Sequence, residues 1–270
     1  MTDRVLLDVR DAGTGQVAYV TLNRPDKYNG LDLPMLRGLI DTAARIAADR
    51  AVRAVIMVGD GNAFCAGLDF ASVGRSAAAF ARAGLKVPGM KTNLFQQACW
   101  AWRELPVPVI AVLHGHCFGG GMQLALAADF RFATPDCELS IMEAKWGLIP
   151  DMTGSVTLRE LVPMDVAKRL TMTAEVFDGR QAADYGLVTG VGDEPLKEAE
   201  ALVGLLLSRS PDAIALTKRL LHSTWTKSPR RAFWTETWLQ ARLMLGANHR
   251  IARTANLAKK VPAYTERRLR

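Results

Sequence analysis

Residues 114–123 read HGHCFGGGMQ, and they follow the apolar run VPVIAVL at residues 107–113. A short apolar run bounded by turn residues is typical of a buried strand. Three consecutive glycines then leave backbone amides unshielded at the start of a helix predicted over residues 120–127. The positive end of the helix dipole lies at this point. The pattern therefore predicts a strand, a tight turn and a helix whose first amides can stabilise a negative charge.

A second unit of the same kind precedes this one in the chain. The apolar run AVIMV at residues 54–58 leads into the turn NAFCAGLDF at residues 62–70. One amide from each turn would form an oxyanion hole, a pair of N–H donors aimed at developing negative charge. Either glycine-rich segment taken alone could equally serve a tight turn or close packing of a helix.

The rest of the chain divides into a strand-rich part and a helical part. Residues 5–10 and 16–22 alternate as a hairpin, and Asp32 caps a helix predicted over residues 33–49. Buried strands at 54–58, 107–113 and 130–133 then alternate with helices at 94–103 and 120–127, which predicts an α/β fold with parallel strands. Beyond residue 150, helices are predicted at 155–161, 165–171, 179–185, 193–208, 211–223 and 230–246.

Two carboxylates lie close together in a third segment, LSIMEAKWGLIPDMTG at residues 139–154. Glu143 follows a strand-like run, and Asp151 lies in the Pro/Gly-containing loop after it. Apolar neighbours would desolvate both acids and raise their pKa values, which suits proton transfer near neutral pH. A surface salt bridge is the alternative role for Glu143. The apolar neighbours are Ile141, Met142, Trp146, Leu148 and Ile149.

Composition narrows the class of protein. The chain has 270 residues, of which 49% are hydrophobic, enough for a sizeable core. Its net charge of +7 is spread along the chain without an aromatic-interleaved basic stripe, so no nucleic-acid partner is expected. The N-terminus lacks the pattern of a signal peptide and no apolar run suits a membrane span, so no membrane association is expected. Four widely spaced cysteines predict free thiols in a reducing cytoplasm.

Other catalytic chemistries find little support in the sequence. His114, His116, Cys117 and Cys137 lack the spacing of a zinc-ligand quartet, so neither a metal nor a separate cofactor is expected. No GxSxG elbow occurs, and Ser140 has no evident histidine partner, which argues against a serine hydrolase.

Taken together, the segments resemble the crotonase superfamily, the enoyl-CoA hydratase/isomerase family. The resemblance rests on LNRPDK at residues 22–27, FCAGLD at 64–69, GGG at 119–121 and the loop from Glu143 to Asp151, and it runs from about residue 5 to 260. It implies a spiral of ββα repeats with a helical C-terminal region, an acyl-CoA thioester as substrate, and a homotrimer or homohexamer. We expect residues 1–200 to form the spiral core and residues 201–270 a helical trimerisation region.

The resemblance also assigns roles to residues of this chain. The amides of Leu68 and Gly120 would form the oxyanion hole. The coenzyme A moiety would lie against Lys27, Ala66, Gly67, Leu68 and Asp69. The two carboxylates of the hydratases fall at positions 123 and 143, but position 123 is occupied by Gln123. A glutamine can hydrogen-bond a water molecule but cannot accept its proton.

These residues lead to two hypotheses for function. In the first, Glu143 and Asp151 move a proton across an enolate, with Gln123 as a neutral partner, and double-bond isomerisation is preferred over hydration. In the second, the chain is an acyl-CoA-binding protein with little or no turnover. We expect residues 77–94 to form a variable lid around the acyl tail. The tryptophans near the C-terminus, Trp225, Trp234 and Trp238, are expected to pack against the core or a second subunit.

Overall fold

A six-stranded sheet forms the centre of the molecule in the computed structural model, which describes residues 3–75, 77–86 and 88–269. Its strands are β1 (Val5–Asp11), β2 (Gln16–Leu22), β3 (Val52–Gly59), β4 (Val109–Leu113), β6 (Phe130–Ala133) and β8 (Gly190–Val191). They are arranged in the order β1-β2-β3-β4-β6-β8. Strands β1 and β2 form the predicted antiparallel hairpin, and every later pairing is parallel. The predicted α/β class is therefore confirmed.

Strand β3 shows why the central strands are continuous apolar runs. Its alternate residues belong to two separate hydrophobic clusters, one on each face of the sheet. Val55 and Met57 pack in the cluster that includes helix α1 (Leu33–Ala48) and helix α4 (Leu94–Glu104), whereas Ala54 and Ile56 pack in the cluster that includes helix α9 (Pro195–Leu207). A strand covered on both faces cannot alternate between polar and apolar residues.

A small second sheet carries the glycine-rich turn. Strand β5 (His116–Phe118) pairs in parallel with β7 (Glu138–Ser140), and helix α5 (Gly120–Leu126) begins directly after β5. The backbones of Cys65 and Cys117 form an isolated parallel β-bridge, which joins the first glycine-containing loop to β5. This sheet was not predicted, because each strand has only three residues and shows no periodicity. It brings the two loops next to each other.

The remaining helices surround the sheets and make up most of the C-terminal part. They are α2 (Phe70–Arg75), α3 (Ala77–Gly84), α6 (Gly154–Leu161), α7 (Met164–Thr173), α8 (Gly179–Asp184), α10 (Pro211–Thr224), α11 (Pro229–Met244) and α12 (Ala247–Leu257). Helices α6 to α11 match the predicted ranges closely. Helix α12 was missed because its apolar residues are few and its buried residue is polar, Asn248. Helix α9 continues across residue 200. The predicted division into a core of residues 1–200 and a helical region of residues 201–270 stays a prediction.

The C-terminal end of the described chain is held by polar contacts rather than by regular structure. Asp212 accepts hydrogen bonds from the amides of Arg268 and Leu269, and from the side chain of Asn248.

The four cysteines are unpaired and buried, as predicted. Within the residues that the structure describes, no helix has the length and apolar character needed to cross a membrane.

Candidate active site

A cavity of about 180 Å³ lies where the two glycine-containing loops meet the Glu143 segment. Six of the residues predicted for the site line it: Ala66, Gly67, Leu68, Gly120, Glu143 and Asp151. The other lining residues are Phe70, Phe95, Gly119, Met142, Trp146, Leu148 and Met152. The segments quoted from the sequence therefore converge in space, and they bring Glu143 and Asp151 into a lining that is otherwise mostly apolar.

Glu143 is a buried carboxylate, and one of its oxygens has no hydrogen-bond partner among the described residues. It lies in a 3₁₀ turn, Met142–Trp146, and is 7% exposed. Its Oε1 accepts a hydrogen bond of 2.6 Å from Nε2 of Gln123, whereas its buried Oε2 has no partner among the described residues. Burial raises the pKa of Glu143, and the charge of Asp151 raises it further, although the hydrogen bond from Gln123 offsets part of the change. The side chain is suited to take up and return a proton.

Gln123 lies behind Glu143 on helix α5 and is 1% exposed. Its Oε1 accepts hydrogen bonds from the amides of Met152 (2.8 Å) and Gly154 (3.0 Å). Both amides therefore orient the glutamine so that its NH₂ group points at Glu143. Gln123 thus connects the Glu143 turn to the loop that carries Asp151, and it does not line the cavity itself.

Asp151 lies at the exposed rim of the same cavity. Partial burial of its carboxyl group raises its pKa above the ordinary range for an aspartate. Because the rim is accessible to solvent, Asp151 can exchange its proton with water more readily than Glu143 can. The expected apolar surroundings are present in part: Trp146 and Leu148 line the cavity, whereas Ile149 is 75% exposed and lies outside it.

The amides of Leu68 and Gly120 project from two loops that are in close contact. Gly67 has φ +87°, and a Cβ on it would lie 2.7 Å from the Phe118 carbonyl oxygen and 3.3 Å from the Gly120 nitrogen. Gly120 opens helix α5, so its amide has no acceptor within the helix. Neither amide donates to an acceptor within the described part of the chain. The two donors are thus free to bind an oxygen atom in the cavity.

Two residues predicted to contact coenzyme A lie outside the cavity. Lys27 is exposed on the turn Pro25–Lys27, next to the Ala66 loop, whose amide donates to the carbonyl oxygen of Tyr28. Asp69 accepts a hydrogen bond of 2.7 Å from the buried Arg24 guanidinium and one of 2.6 Å from the Ser72 hydroxyl. In this chain Asp69 therefore holds the loop that positions the Leu68 amide.

The ion pair of Asp69 predicts an acid-sensitive contribution to stability. Burial favours a higher pKa, but the hydrogen bonds from Ser72 and Arg24 outweigh it and lower the pKa to about 2. Against an unfolded value of about 3.9, this contributes on the order of 2 kcal/mol of stability above pH 4, lost as the pH falls toward 2. We expect Asp69→Asn to lower the free energy of unfolding in urea at pH 7 and less at pH 3. The exposed Asp26→Asn is the control, and an equal loss at both pH values would contradict the assignment.

The sequence interpretation missed the aromatic part of the cavity. Phe70 follows the Leu68 loop, and Phe95 lies in the first turn of α4, but neither was singled out. Residues 77–94 were expected to surround the acyl tail, yet none of those that the structure describes lines this cavity; Val87 lies outside the described residues. Helix α3 instead supports the cavity from behind, through a contact between Phe80 and Phe95.

Other parts of the molecule offer less for catalysis. A larger cavity of about 370 Å³ between β6 and α10 contains charged groups that pair with each other, such as Lys218 with Asp129 at 2.7 Å. Among the described residues, no group of three or more His, Cys, Asp or Glu side chains is arranged to hold a metal ion. The cavity lined by Glu143 combines a carboxylate oxygen and two backbone amides that have no hydrogen-bond partner among the described residues.

Comparison with known proteins agrees with this arrangement. The chain is 30% identical to (E)-benzylidenesuccinyl-CoA hydratase of Thauera aromatica, over 76% of this chain and 78% of that protein. It is 29% identical to the mitochondrial Delta(3,5)-Delta(2,4)-dienoyl-CoA isomerase of Mus musculus, over 93% of this chain and 77% of that one. The crystal structure of an enoyl-CoA hydratase from Bacillus anthracis superposes with a TM-score of 0.86 at 26% identity, covering 96% of this chain and 98% of that chain.

The family assignment follows from the extent of the match. The model for the family described as Enoyl-CoA hydratase/isomerase matches residues 12–268, nearly the whole chain. The solved structures confirm the expected crotonase fold, and the relatives named above are hydratases or isomerases of CoA thioesters. The chain therefore belongs to the enoyl-CoA hydratase/isomerase family of the crotonase superfamily, whose members act on acyl-CoA.

Proposed function

We propose that this enzyme shifts the double bond of an enoyl-CoA thioester in preference to hydrating it. The observation that carries the proposal is the hydrogen bonding of Gln123. Its oxygen is occupied by the amides of Met152 and Gly154, and its NH₂ group donates to Glu143. With no second carboxylate beside Glu143 at this position, a water molecule has one base instead of two. Proton transfer between two carbons needs no water.

The reaction can be followed atom by atom in the cavity. The amides of Leu68 and Gly120 bind the thioester oxygen of a 3-enoyl-CoA. Glu143 removes a proton from C2, and the electron pair moves into an enolate whose oxygen the amides stabilise. The double bond then forms between C2 and C3 as C4 accepts a proton from Asp151. Proton exchange with solvent at the rim returns Glu143 and Asp151 to their starting states.

Two features of the carboxylates support these roles. Glu143 is buried with a raised pKa, so its carboxylate is a stronger base than an ordinary glutamate. Asp151 also has a raised pKa, which favours the protonated form that an acid catalyst needs. Their interaction in one cavity links the two ionisations, so the activity should depend on both groups.

The direct test compares a 3-enoyl-CoA with crotonyl-CoA in H₂O and D₂O, following the chromophore of the conjugated thioester. Isomerisation predicts a growing chromophore from the 3-enoyl thioester, with little loss from crotonyl-CoA. Because Asp151 exchanges with solvent, deuterium should appear at C4 of the product. Fast loss of the crotonyl chromophore would show that hydration is the preferred reaction, and the proposal would be wrong.

Substituting Gln123→Glu tests the reason for the preference. The new carboxylate would keep the acceptors for the Met152 and Gly154 amides, but it would face Glu143 across a distance at which two carboxylates share a proton. We expect hydration of crotonyl-CoA to rise at least about tenfold, a small part of the roughly 10²–10⁴-fold that a well-placed general acid–base group contributes. Gln123→Met removes the hydrogen bonds at similar size and should not increase hydration. An unchanged ratio of hydration to isomerisation would exclude Gln123 as its cause.

An acyl-CoA-binding protein without turnover is the second candidate. It would use the same amides and the same apolar cavity, so binding of a thioester alone does not distinguish the two functions. The buried Oε2 of Glu143 favours the enzyme, because a carboxylate oxygen without a partner is costly to bury for binding alone.

The assembly and the coenzyme A contacts are part of the same proposal. We propose that residues 201–270 mediate a homotrimer or homohexamer. In support, helices α11 and α12 and the connection between them expose large apolar side chains, including Phe233, Trp234, Trp238, Leu245 and Leu257. The oligomeric state can be measured by sedimentation. Lys27, Ala66, Gly67, Leu68 and Asp69 remain proposed contacts of coenzyme A. A cytoplasmic location, suggested by the unpaired thiols, also remains a proposal.

A further inference from the structure

The cavity beside Glu143 has room for a compact acyl group. Its volume of about 180 Å³ is close to the roughly 150 Å³ at which an apolar protein cavity binds one benzene molecule. A single ring, or a chain of similar size, therefore fills the space beside Glu143. The residues that line the cavity must therefore determine whether a ring or a chain binds more tightly.

One wall is a pair of aromatic rings that joins the two catalytic elements. The rings of Phe70 and Trp146 lie with their centroids 4.5 Å apart and their planes at 34°. Phe70 follows the loop that carries the Leu68 amide, and Trp146 ends the turn that carries Glu143. The wall is therefore held next to the position of the thioester. Both rings remain accessible, at 38% and 55% exposure, so packing within the chain leaves part of each ring uncovered.

A third ring forms another part of the lining. Phe95 is backed by Phe80, with ring centroids 6.0 Å apart, and by Gly84, where a Cβ would lie 3.7 Å from Phe95 Cε2. Phe80 is the buried residue of helix α3. Phe95 is thus supported from behind, and it forms part of the lining that an acyl group would contact.

We infer that the site prefers an acyl chain that carries a compact, planar group, such as an aryl ring, and that Phe70, Trp146 and Phe95 determine this preference. The inference rests on the proposed function for the position of the thioester. A flat group can stack on aromatic rings, which contributes roughly 0.5–1.5 kcal/mol per ring pair beyond the burial of area. Since roughly 1.4 kcal/mol corresponds to tenfold in affinity, each stacking contact changes binding by about 2- to 12-fold. A saturated ring with the same number of carbon atoms buries a similar apolar area but does not stack on the aromatic rings.

The test compares binding of 3-phenylpropanoyl-CoA and 3-cyclohexylpropanoyl-CoA by calorimetry. Neither thioester has a double bond to isomerise or hydrate, so the measurement is independent of turnover. We expect the phenyl thioester to bind the unmodified protein at least about fivefold more tightly, from two stacking contacts. Trp146→Leu and Phe70→Leu should each reduce the ratio toward one. Trp225→Leu replaces a similarly exposed tryptophan outside the cavity walls and should leave the ratio unchanged.

Phe95 is tested separately by chain length. Phe95→Ala should strengthen the binding of octanoyl-CoA relative to butanoyl-CoA by at least about threefold, because the removed ring opens space for additional methylene groups. If the unmodified protein binds both ring thioesters equally, or if Trp146→Leu leaves their ratio unchanged, the inference is wrong even where isomerisation is observed. A clear ratio without any turnover of 3-enoyl thioesters would overturn the proposed function and leave the inference standing. Failure to bind either thioester would overturn both.

Discussion

Replacing Glu143 with glutamine should lower kcat/KM for a 3-enoyl-CoA by about 10²–10⁴-fold, the range for loss of a general acid–base group. The amide has nearly the size of the carboxylate but cannot remove the proton from C2. Gln123, which donates to Oε1 of Glu143, would retain an acceptor if the new amide presents its oxygen to it. The measurement is steady-state kinetics together with the affinity for a saturated acyl-CoA, which should change by less than a factor of a few.

Glu194→Gln provides the matched control, since this glutamate is exposed and pairs with Lys197 on the surface. Its activity should equal that of the unmodified protein. If Glu143→Gln retains ordinary turnover, Glu143 is not the base, and the proposed mechanism fails. If neither form has turnover but both bind acyl-CoA, the second candidate function, binding without catalysis, is favoured.

Gly67→Ala should have the next largest effect, a loss of about 10²–10³-fold in kcat, comparable to the loss of one donor to an oxyanion. The new methyl group would lie 2.7 Å from the Phe118 carbonyl oxygen and 3.3 Å from the Gly120 nitrogen. One loop must move away from the other, and the amides of Leu68 and Gly120 separate. Positive φ adds strain, because alanine avoids the left-handed region that glycine adopts at φ +87°.

A comparison with Gly13→Ala separates the effect of backbone strain from the effect of moving the two loops apart. Gly13 has a similar φ of +74°, but no atom lies within 4 Å of where its Cβ would be. We expect Gly13→Ala to lower the free energy of unfolding by an amount similar to that of Gly67→Ala, because of the backbone strain, and to keep the kcat of the unmodified protein. Equal kcat values for the two variants would show that the contact between the loops does not position the amides. A crystal structure of Gly67→Ala with a bound acyl-CoA would show the displacement directly.

Much of the fold could be predicted from local patterns. Helix α1 was predicted from its apolar spacing and the Asp32 cap, and that cap is present as a hydrogen bond to the Met35 amide. Strand β6 was predicted over the range it occupies, Phe130–Ala133. Such elements depend on interactions among neighbours in the chain, which a short window of sequence contains. The β5–β7 sheet and helix α12 lacked such a pattern and depend on tertiary contacts.

The candidate site also has features that the local sequence predicted and features that depend on tertiary contacts. Glu143, Asp151 and the glycine-containing loops stand out in the sequence because carboxylates and unshielded amides are recognisable by type. The sequence also showed that position 123 is a glutamine. It could not show how that glutamine is oriented, since its partners Met152 and Gly154 come from another segment.

The amino-acid sequence by itself determined the order of the elements, the chemistry available and the family, because these depend on residue type and local spacing. Only the tertiary structure decided that Asp69 pairs with Arg24. It also decided that Phe70 contacts Trp146 and that Phe95 lines the cavity. These contacts join residues far apart in the chain, and their geometry is a result of how the sheets and helices pack. No local pattern contains that information, because the same side chains could face solvent in another packing.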